Sequence, residues 1–260
     1  MKGNEKIAFT AEAVAFMRAR ENSDKFSKYF VSPKIEHKFK LVSRFIPAYL
    51  DKISHKRVVL SNDIDRFIKT YEPEQIIELA CGYSTRGLVF TQRDPKLVYV
   101  ETDFSSVISR KRKILREIET SEGINLSKNH HLVAVDAINS DLYDSLHGLI
   151  NKKKRTLIVA ETLTSYLNSA EHDFLVGNIE HLLERVEEGA YLSHEGMKML
   201  PGLFGKLLLF YRNKVAKTRS YRHFDDAQGI KDYFLNRGFV GVKTSESQVT
   251  SNIIYLAKRK

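Results

Sequence analysis

The sequence predicts an α/β fold with a seven-stranded, mostly parallel sheet, helices on both faces and an antiparallel last strand, in a single domain over residues 1–260. Seven short apolar runs, bounded by turn residues, have the length and composition of buried strands. Helical patterns separate most of these runs, and such alternation is typical of parallel sheets covered on both faces. The predicted strands are residues 75–80, 97–100, 132–135, 157–160, 190–193, 239–242 and 253–257.

Residues 1–72 are predicted to form a helical cover ahead of the first strand. Thr10 is a candidate N-cap for a helix that runs to Arg20, and residues 34–50 carry apolar side chains at helical spacing. A third helix is predicted over residues 62–71, and Pro73 ends it because proline cannot continue a helix. Such helices either cover a site or serve as packing elements, and both interpretations stay open.

Three further helices are predicted over residues 105–119, 169–188 and 226–237. Asn168, followed three positions later by Glu171, has the pattern of a capping box. The last two predicted strands are joined by a connector too short for a helix, so we expect them to be antiparallel. The irregular stretch 196–224 is predicted to supply a substrate lid or wall.

Composition bounds the class of protein. The chain has 260 residues, 42% of them hydrophobic and 28% charged, which is enough to bury a sizeable core. No apolar run approaches the ~18 residues of a membrane span, and the first six residues lack the apolar core of a signal peptide. Cys81 is the single cysteine, which excludes an internal disulfide and a Cys-rich metal site. We therefore expect a cytoplasmic protein without a metal or a membrane partner.

The net charge of +10 favours anionic partners, and two basic runs lie at residues 110–116 and 152–155. A solvated surface is the simpler interpretation, since no nucleic-acid-binding motif accompanies the runs. Nucleic-acid binding is kept as an alternative that the sequence does not favour. The sequence makes no prediction of oligomeric state.

Polar groups follow each of the first five predicted strands, which is where parallel sheets bind ligands. The first strand leads into a small-residue loop, 80–86, that contains Gly82. Asp103 comes 25 positions after Glu78 and suits a ribose diol, Phe104 could contact an adenine ring, and Asp136 could accept from its amino group. No G-x-G-x-x-G is present, which argues against NAD and FAD. The strand-end groups are Glu78, Glu101, Asp103, Asp136, Glu161 and His194.

Three motifs resemble those of class I (Rossmann-like) S-adenosylmethionine-dependent methyltransferases, within them the leucine carboxyl methyltransferase-like family. Residues 78–86 are similar to the family's strand and G-x-G-x-D-T-R loop, 101–104 to its E-x-D-hydrophobic stretch, and 161–167 to its E-G-x-x-x-Y-L segment. Phe224 to Phe239 is similar to a late F-D-x-x…G-[WF] segment. The chain departs from the family at Ala80 and Thr162, which replace glycines, and at Ser84, which replaces aspartate.

The resemblance implies S-adenosyl-L-methionine as the cofactor, with Arg86 pairing with the carboxylate of its methionyl part. The implied cofactor-binding residues are Glu78, Ala80, Gly82, Arg86, Glu101, Asp103, Phe104, Asp136, Ala137 and Glu161. Candidate catalytic residues are Tyr166, which could instead be a packing residue, His194 as a general base, and Asn139 as an orienting group. A lone histidine is more often a satisfied neighbour, and a carboxylate acceptor needs no base.

The predicted reaction is methyl transfer to a small-molecule carboxylate or hydroxyl, as in the small-molecule O-methyltransferase branch of the family. The N-terminal part is shorter than in protein-methylating relatives, which need room for a peptide tail. An alternative is attack of the cofactor's own amino group on its γ-carbon, which gives azetidine-2-carboxylate and methylthioadenosine. The two differ in whether a second substrate is needed.

Overall fold

A computed structural model describes residues 4–195, 221–246 and 253–259, and its centre is a seven-stranded sheet. The spatial order is β3-β2-β1-β4-β5-β7-β6. The first five strands are parallel, and β7 is antiparallel to both of its neighbours, which confirms the predicted sheet. The strands are β1 (Gln75–Glu78), β2 (Val98–Asp103), β3 (His130–Ala134), β4 (Thr156–Ala160), β5 (Gly189–Glu195), β6 (Gly241–Glu246) and β7 (Ile253–Arg259).

Eight α-helices and two 3₁₀ turns surround the sheet in the described residues. Before β1 come α1 (Asn4–Arg20), a 3₁₀ turn (Ser27–Phe30), α2 (Pro33–Phe45) and α3 (Pro47–Tyr71). After β1 come α4 (Arg86–Arg93), α5 (Ser105–Glu122), α6 (Leu142–Leu146), a second 3₁₀ turn (Thr164–Tyr166), α7 (Ser169–Leu183) and α8 (Ala227–Asn236).

Several predicted boundaries in the helical cover are wrong. The helix predicted over 34–50 stops at Phe45, and the one predicted over 62–71 is only the second half of α3. The break lies at Ile46, whose φ of −140° and ψ of 56° are not helical. A residue before proline is pushed out of the helical region, and Pro47 then fits the first position of the next helix. Helix α1 also begins at Asn4, so Thr10 lies inside it rather than capping it.

In the later half, the capping box at Asn168 and Glu171 is present, but α7 ends at Leu183, five residues before the predicted end. The sixth strand begins at Gly241, after the predicted start at Phe239, and Phe239 is buried against the core. Of the predicted lid, residues 196–220 lie outside the described part of the chain. The remainder contacts the second 3₁₀ turn, where the Tyr221 N–H donates to the Ser165 carbonyl over 2.9 Å.

Helices cover both faces of the sheet because alternate strand residues point to opposite sides. Ile77, Ile158 and Tyr191 share one apolar cluster with α6, α7 and α8. Ile76 and Leu157 share another with α3, whose stripe of Leu60, Ile64 and Ile68 is spaced four residues apart. Burying each such side chain contributes about 1.5–3 kcal/mol. A third cluster joins α1, α4 and α5.

Among the described helices, none combines the length and the apolar composition needed to cross a membrane.

Candidate cofactor site

A cavity of about 360 Å³ lies at the carboxyl ends of β1 to β4, next to α1. Four groups of residues form its wall: one face of α1, the loop after β1, the ends of β2 and β3, and the segment after β4. They are Thr10, Ala11, Val14 and Arg18; Glu78, Ala80, Cys81, Gly82, Tyr83 and Ser84; Asp103, Phe104, Val135, Asp136, Ala137 and Ile138; and Glu161, Thr162, Leu163, Tyr166 and Leu167. The strand-end position agrees with the site that the sequence predicts.

Two wall residues that replace family glycines keep a glycine-like backbone. Ala80 has a φ of 49° and Thr162 a φ of 62°, both in the left-handed region. This conformation costs a residue with a Cβ roughly 1–2 kcal/mol. The loop and the segment after β4 thus retain the turn that the glycines would supply, at the cost of backbone strain beside the cavity.

Asp103 is held by two backbone groups at the end of β2. Its Oδ2 accepts from the Gly82 N–H over 2.8 Å and its Oδ1 from the Phe104 N–H over 2.7 Å. Burial raises the pKa of Asp103, while these two hydrogen bonds act in the opposite direction. Each carboxylate oxygen has a second lone pair, so Asp103 can accept from a ligand diol without losing its backbone partners.

Glu161, which follows β4, lies between two arginines. The Arg18 Nη2 donates to its two oxygens over 2.9 and 3.0 Å, and the Arg86 Nη2 donates to Oε2 over 2.7 Å. Burial by itself would raise the pKa of Glu161, but the two guanidinium groups hold it well below its usual range. Glu161 is therefore a fixed anion of the wall.

Arg86 lies behind the cavity wall rather than on it. Its Nε donates to Asp65 over 2.6 Å, its Nη1 to Glu78 over 2.6 Å, and its Nη2 to Ser61 and Glu161. The side chain is only 3% exposed and lines a second, polar cavity of about 530 Å³. The pairing of Arg86 with the cofactor's carboxylate, implied by the sequence motif, therefore stays a prediction that this placement does not support.

Glu101 also lies away from the wall. Its Oε2 is 2.8 Å from the Lys111 Nζ and 3.1 Å from the His130 Nε2, and Glu101 and Lys111 are fully buried. Burial alone would raise the pKa of Glu101, but Lys111 and His130 lower it to about 2. Lys111 belongs to the basic run 110–116, so treating that whole run as a solvated surface is wrong at this position. The other run, 152–155, precedes β4 and lies at the edge opposite the cavity.

The candidate catalytic residues are separated by the fold. Tyr166 lines the cavity and is 37% exposed, at its rim. Asn139 is exposed and donates to Asp136 Oδ2 over 2.8 Å, so it supports a wall residue from outside. His194 is buried in β5 and is not part of the described wall. The structure thus brings together Glu78, Ala80, Gly82, Asp103, Phe104, Asp136, Ala137, Glu161 and Tyr166 of the predicted site residues.

Sequence reasoning missed the contribution of α1. Ala11, Val14 and Arg18 lie on one face of this helix, three and four positions apart, and all three line the cavity. The available signal was an arginine on a helix face that otherwise carries small apolar residues, including the buried Ala15. A charge in that position needs a partner, and here the partner is Glu161.

The polar and aromatic groups of the cavity wall fit S-adenosylmethionine. That molecule presents a ribose diol, an adenine amino group, an ammonium and a sulfonium, which call for acceptors, and one carboxylate, which calls for a cation. The wall offers carboxylates at Glu78, Asp103, Asp136 and Glu161, an aromatic ring at Phe104 and a guanidinium at Arg18.

Solved structures of other proteins have the same fold. A "duf574 family protein" from Streptomyces avermitilis is 12% identical and covers 96% of this chain and 97% of its own, with a TM-score of 0.61. The magnesium protoporphyrin IX methyltransferase of Synechocystis, solved with bound SAH, is 12% identical and covers 80% of this chain and 87% of its own, with a TM-score of 0.51. At this identity the likeness shows a shared fold, which this chain has in common with a methyltransferase solved with bound SAH.

The family follows from the sequence comparison. The family model described as leucine carboxyl methyltransferase matches residues 11–180, more than half of the chain. The protein named leucine carboxyl methyltransferase 1 in Caenorhabditis elegans is 22% identical over 262 aligned residues, 87% of this chain and 78% of that protein. The chain belongs to the leucine carboxyl methyltransferase family, which confirms the resemblance and the expected cofactor, S-adenosylmethionine.

Proposed function

We propose that this chain transfers the methyl group of S-adenosylmethionine to a carboxylate on a small-molecule acceptor. The observation that carries the choice of a carboxylate over a hydroxyl is that all four wall carboxylates are already engaged as acceptors. Glu78 accepts from Arg86 and Tyr99, and Asp136 accepts from the Ile138 N–H and Asn139. Asp103 and Glu161 are held as described above, so within the described wall each carboxylate oxygen has a partner.

A wall of this kind suits an acceptor that is already charged. A hydroxyl must lose its proton during methyl transfer, which calls for a general base within hydrogen-bond reach. Two arginines hold Glu161 as a weakly basic anion, and the predicted base, His194, lies off the described wall. A carboxylate needs no base, and proximity and alignment account for most of the rate.

The residues of the wall have separate tasks in this proposal. Asp103 accepts from the ribose diol, and Phe104 and Asp136 contact the adenine ring and its amino group. When bound, the cofactor supplies a methyl group on a positively charged sulfur. Glu78 and Glu161 favour that charge at the β1 and β4 end of the cavity, and Tyr166 at the rim provides an aromatic face for it or for the acceptor.

A peptide acceptor is the second candidate, and the names of the relatives favour it. The Caenorhabditis elegans relative is called a leucine carboxyl methyltransferase, which names a carboxylate as the group methylated. The family offers no support for the alternative in which the cofactor cyclises. Both remaining candidates share the reaction and differ in what carries the carboxylate.

The experiment uses S-adenosylmethionine with a radioactive methyl group and the purified full chain. Its acceptors are a panel of small carboxylic acids, matched alcohols, and peptides that end in leucine with either a free or an amidated carboxyl group. We expect label in the small acids that base releases as methanol, since methyl esters are base-labile and methyl ethers are not.

Three other outcomes would contradict the proposed function, and each would identify a different activity. Base-stable label in the alcohols would make the acceptor a hydroxyl. Label only in the peptide with a free carboxyl group, and not in its amidated partner, would establish the peptide acceptor. Methylthioadenosine from the cofactor alone would establish cyclisation.

A further inference from the structure

Arg18 is a buried cation with an unused donor. It lies near the end of α1, is 6% exposed, and donates through Nη2 to Glu161 and, over 3.3 Å, to Ser61. Its Nε is buried and has no hydrogen-bond partner in the described part of the protein. A buried N–H of a charged group is costly to leave unpaired, so its position calls for an acceptor that a ligand would supply.

Among the described wall residues, Arg18 is the only cationic side chain, against the carboxylates of Glu78, Asp103, Asp136 and Glu161. A zwitterionic ligand with one carboxylate can therefore place that group favourably at one point of the wall. Arg86 is not an equivalent choice, because each of its three nitrogens already donates to a protein oxygen and its side chain lies off the wall.

The strand order shows which end of the cofactor Arg18 meets. Since the order is β3-β2-β1-β4, Phe104 and Asp136 lie on the β2 and β3 side, where we place the adenine. Glu161 follows β4, which lies on the other side of β1 from β2 and β3, and Arg18 forms an ion pair with Glu161. The amino acid end of the cofactor, farthest from the adenine, lies on the β1 and β4 side.

We propose that Arg18, rather than Arg86, binds the carboxylate of the methionyl part of S-adenosylmethionine. Glu161 holds the guanidinium through Nη2, and the unpaired Nε leaves a donor for a second carboxylate, which a planar guanidinium accommodates. Helix α1 then closes the amino acid end of the site through this contact. The inference rests on the proposed function, in that it assumes cofactor binding in this cavity.

The test compares calorimetric affinities for S-adenosylmethionine and for decarboxylated S-adenosylmethionine, which lacks only the carboxylate. Arg18→Met keeps an unbranched side chain in place of the aliphatic part of arginine and removes the guanidinium with its charge and donors. Arg20→Met is the matched control, because Arg20 lies on the same helix and pairs with Asp51 at the surface. Arg86→Met tests the competing residue.

We expect Arg18→Met to weaken binding of S-adenosylmethionine about tenfold to a hundredfold, the usual effect of losing a charged hydrogen bond. Its affinity for the decarboxylated molecule stays that of the parent protein, and Arg20→Met changes neither. Should Arg18→Met melt below the assay temperature, Arg18→Lys replaces it, since it keeps the charge and loses the Nε donor, and the same selective loss is expected at smaller size.

Equal losses for both ligands, or no loss for either, would overturn the assignment of Arg18. A carboxylate-selective loss in Arg86→Met but not in Arg18→Met would transfer the role to Arg86. If the arginine served the acceptor's carboxylate instead, cofactor affinity would not change while the KM for the acceptor rose, which also overturns the proposal. Failure of the parent protein to bind S-adenosylmethionine at all would mark the failure of the proposed function itself.

Discussion

The Arg86 Nη1 and the Glu78 Oε1 lie 2.6 Å apart where Glu78 joins the wall of the cavity, and both side chains are at most 3% exposed. Glu78 is the last residue of β1 and Arg86 the first residue of α4, so their ion pair joins the two ends of the loop between them. Burial raises the pKa of Glu78, and Arg86 opposes that shift. This relationship makes Arg86 a structural cation first, because its removal would leave buried carboxylates without a counter-charge.

Arg86→Met should lower the free energy of unfolding by about 3–5 kcal/mol, the usual cost of breaking a buried ion pair from one side. The loss arises because Glu78 and Glu161 keep their burial and lose a partner. Denaturant unfolding measures it, with Arg20→Met as the control. That surface variant should cost at most about 1 kcal/mol, and equal losses in the two variants would contradict the structural role.

Ala80→Gly should stabilise the protein by about 0.5–1 kcal/mol, although glycine usually destabilises. The φ of 49° at Ala80 is strained for a residue with a Cβ and free for glycine. Thr162→Gly, at a φ of 62°, should act in the same direction because a branched Cβ is strained there too. Ala160→Gly is the matched control. Ala160 is buried in strand β4, so this change should destabilise the protein. Thermal melting that shows the same sign at Ala80 and Ala160 would refute the strain argument.

Stability should fall between about pH 4.5 and pH 2 as the Glu101–Lys111 pair is broken. Folding lowers the pKa of Glu101 from 4.5 to about 2. The ionised carboxylate therefore stabilises the folded state fully above pH 4.5, the pKa in the unfolded chain. This stabilisation is lost as the pH falls towards 2, the pKa in the folded protein. The loss is on the order of 3 kcal/mol. In Glu101→Gln, the free energy of unfolding should be lower overall and change less steeply with pH over this range. Glu36→Gln, in an exposed pair with Lys40, serves as the control, and a parallel pH profile for the parent protein and Glu101→Gln would disprove the assignment.

Asp103→Ala should weaken cofactor binding by about 1–3 kcal/mol, because a charged acceptor of the ribose diol is removed. The variant also frees the Gly82 N–H, which now donates to Asp103. Calorimetry with S-adenosylhomocysteine measures the effect, and Asp94→Ala, in the exposed turn after α4, is the control. An unchanged affinity in a folded Asp103→Ala protein would remove Asp103 from the site.

Local patterns in the sequence were enough to predict the sheet. Short apolar runs with turn residues at their ends identify buried strands wherever they lie in the chain, and the spacing of strand-end acids located the edge that holds the cavity. The capping box at Asn168 was equally readable because it depends on residues three positions apart. The extent of α3, which is one helix over Pro47–Tyr71, could not be predicted in this way. Helical spacing alone does not show whether two amphipathic segments form one helix.

The tertiary structure decided which strand-end groups line the cavity. Glu101 and Asp103 belong to the same strand. Glu101 forms a buried ion pair with Lys111 of α5, and of the two acids Asp103 alone lines the cavity. Arg86 has the family's motif position, but Asp65, on a helix ahead of the sheet, helps to hold it behind the wall. Arg18 reaches Glu161 across 143 positions of sequence. The apolar pattern of a segment records that it is buried, whereas the partner of a buried charge depends on which distant segments the packing brings within a few ångströms.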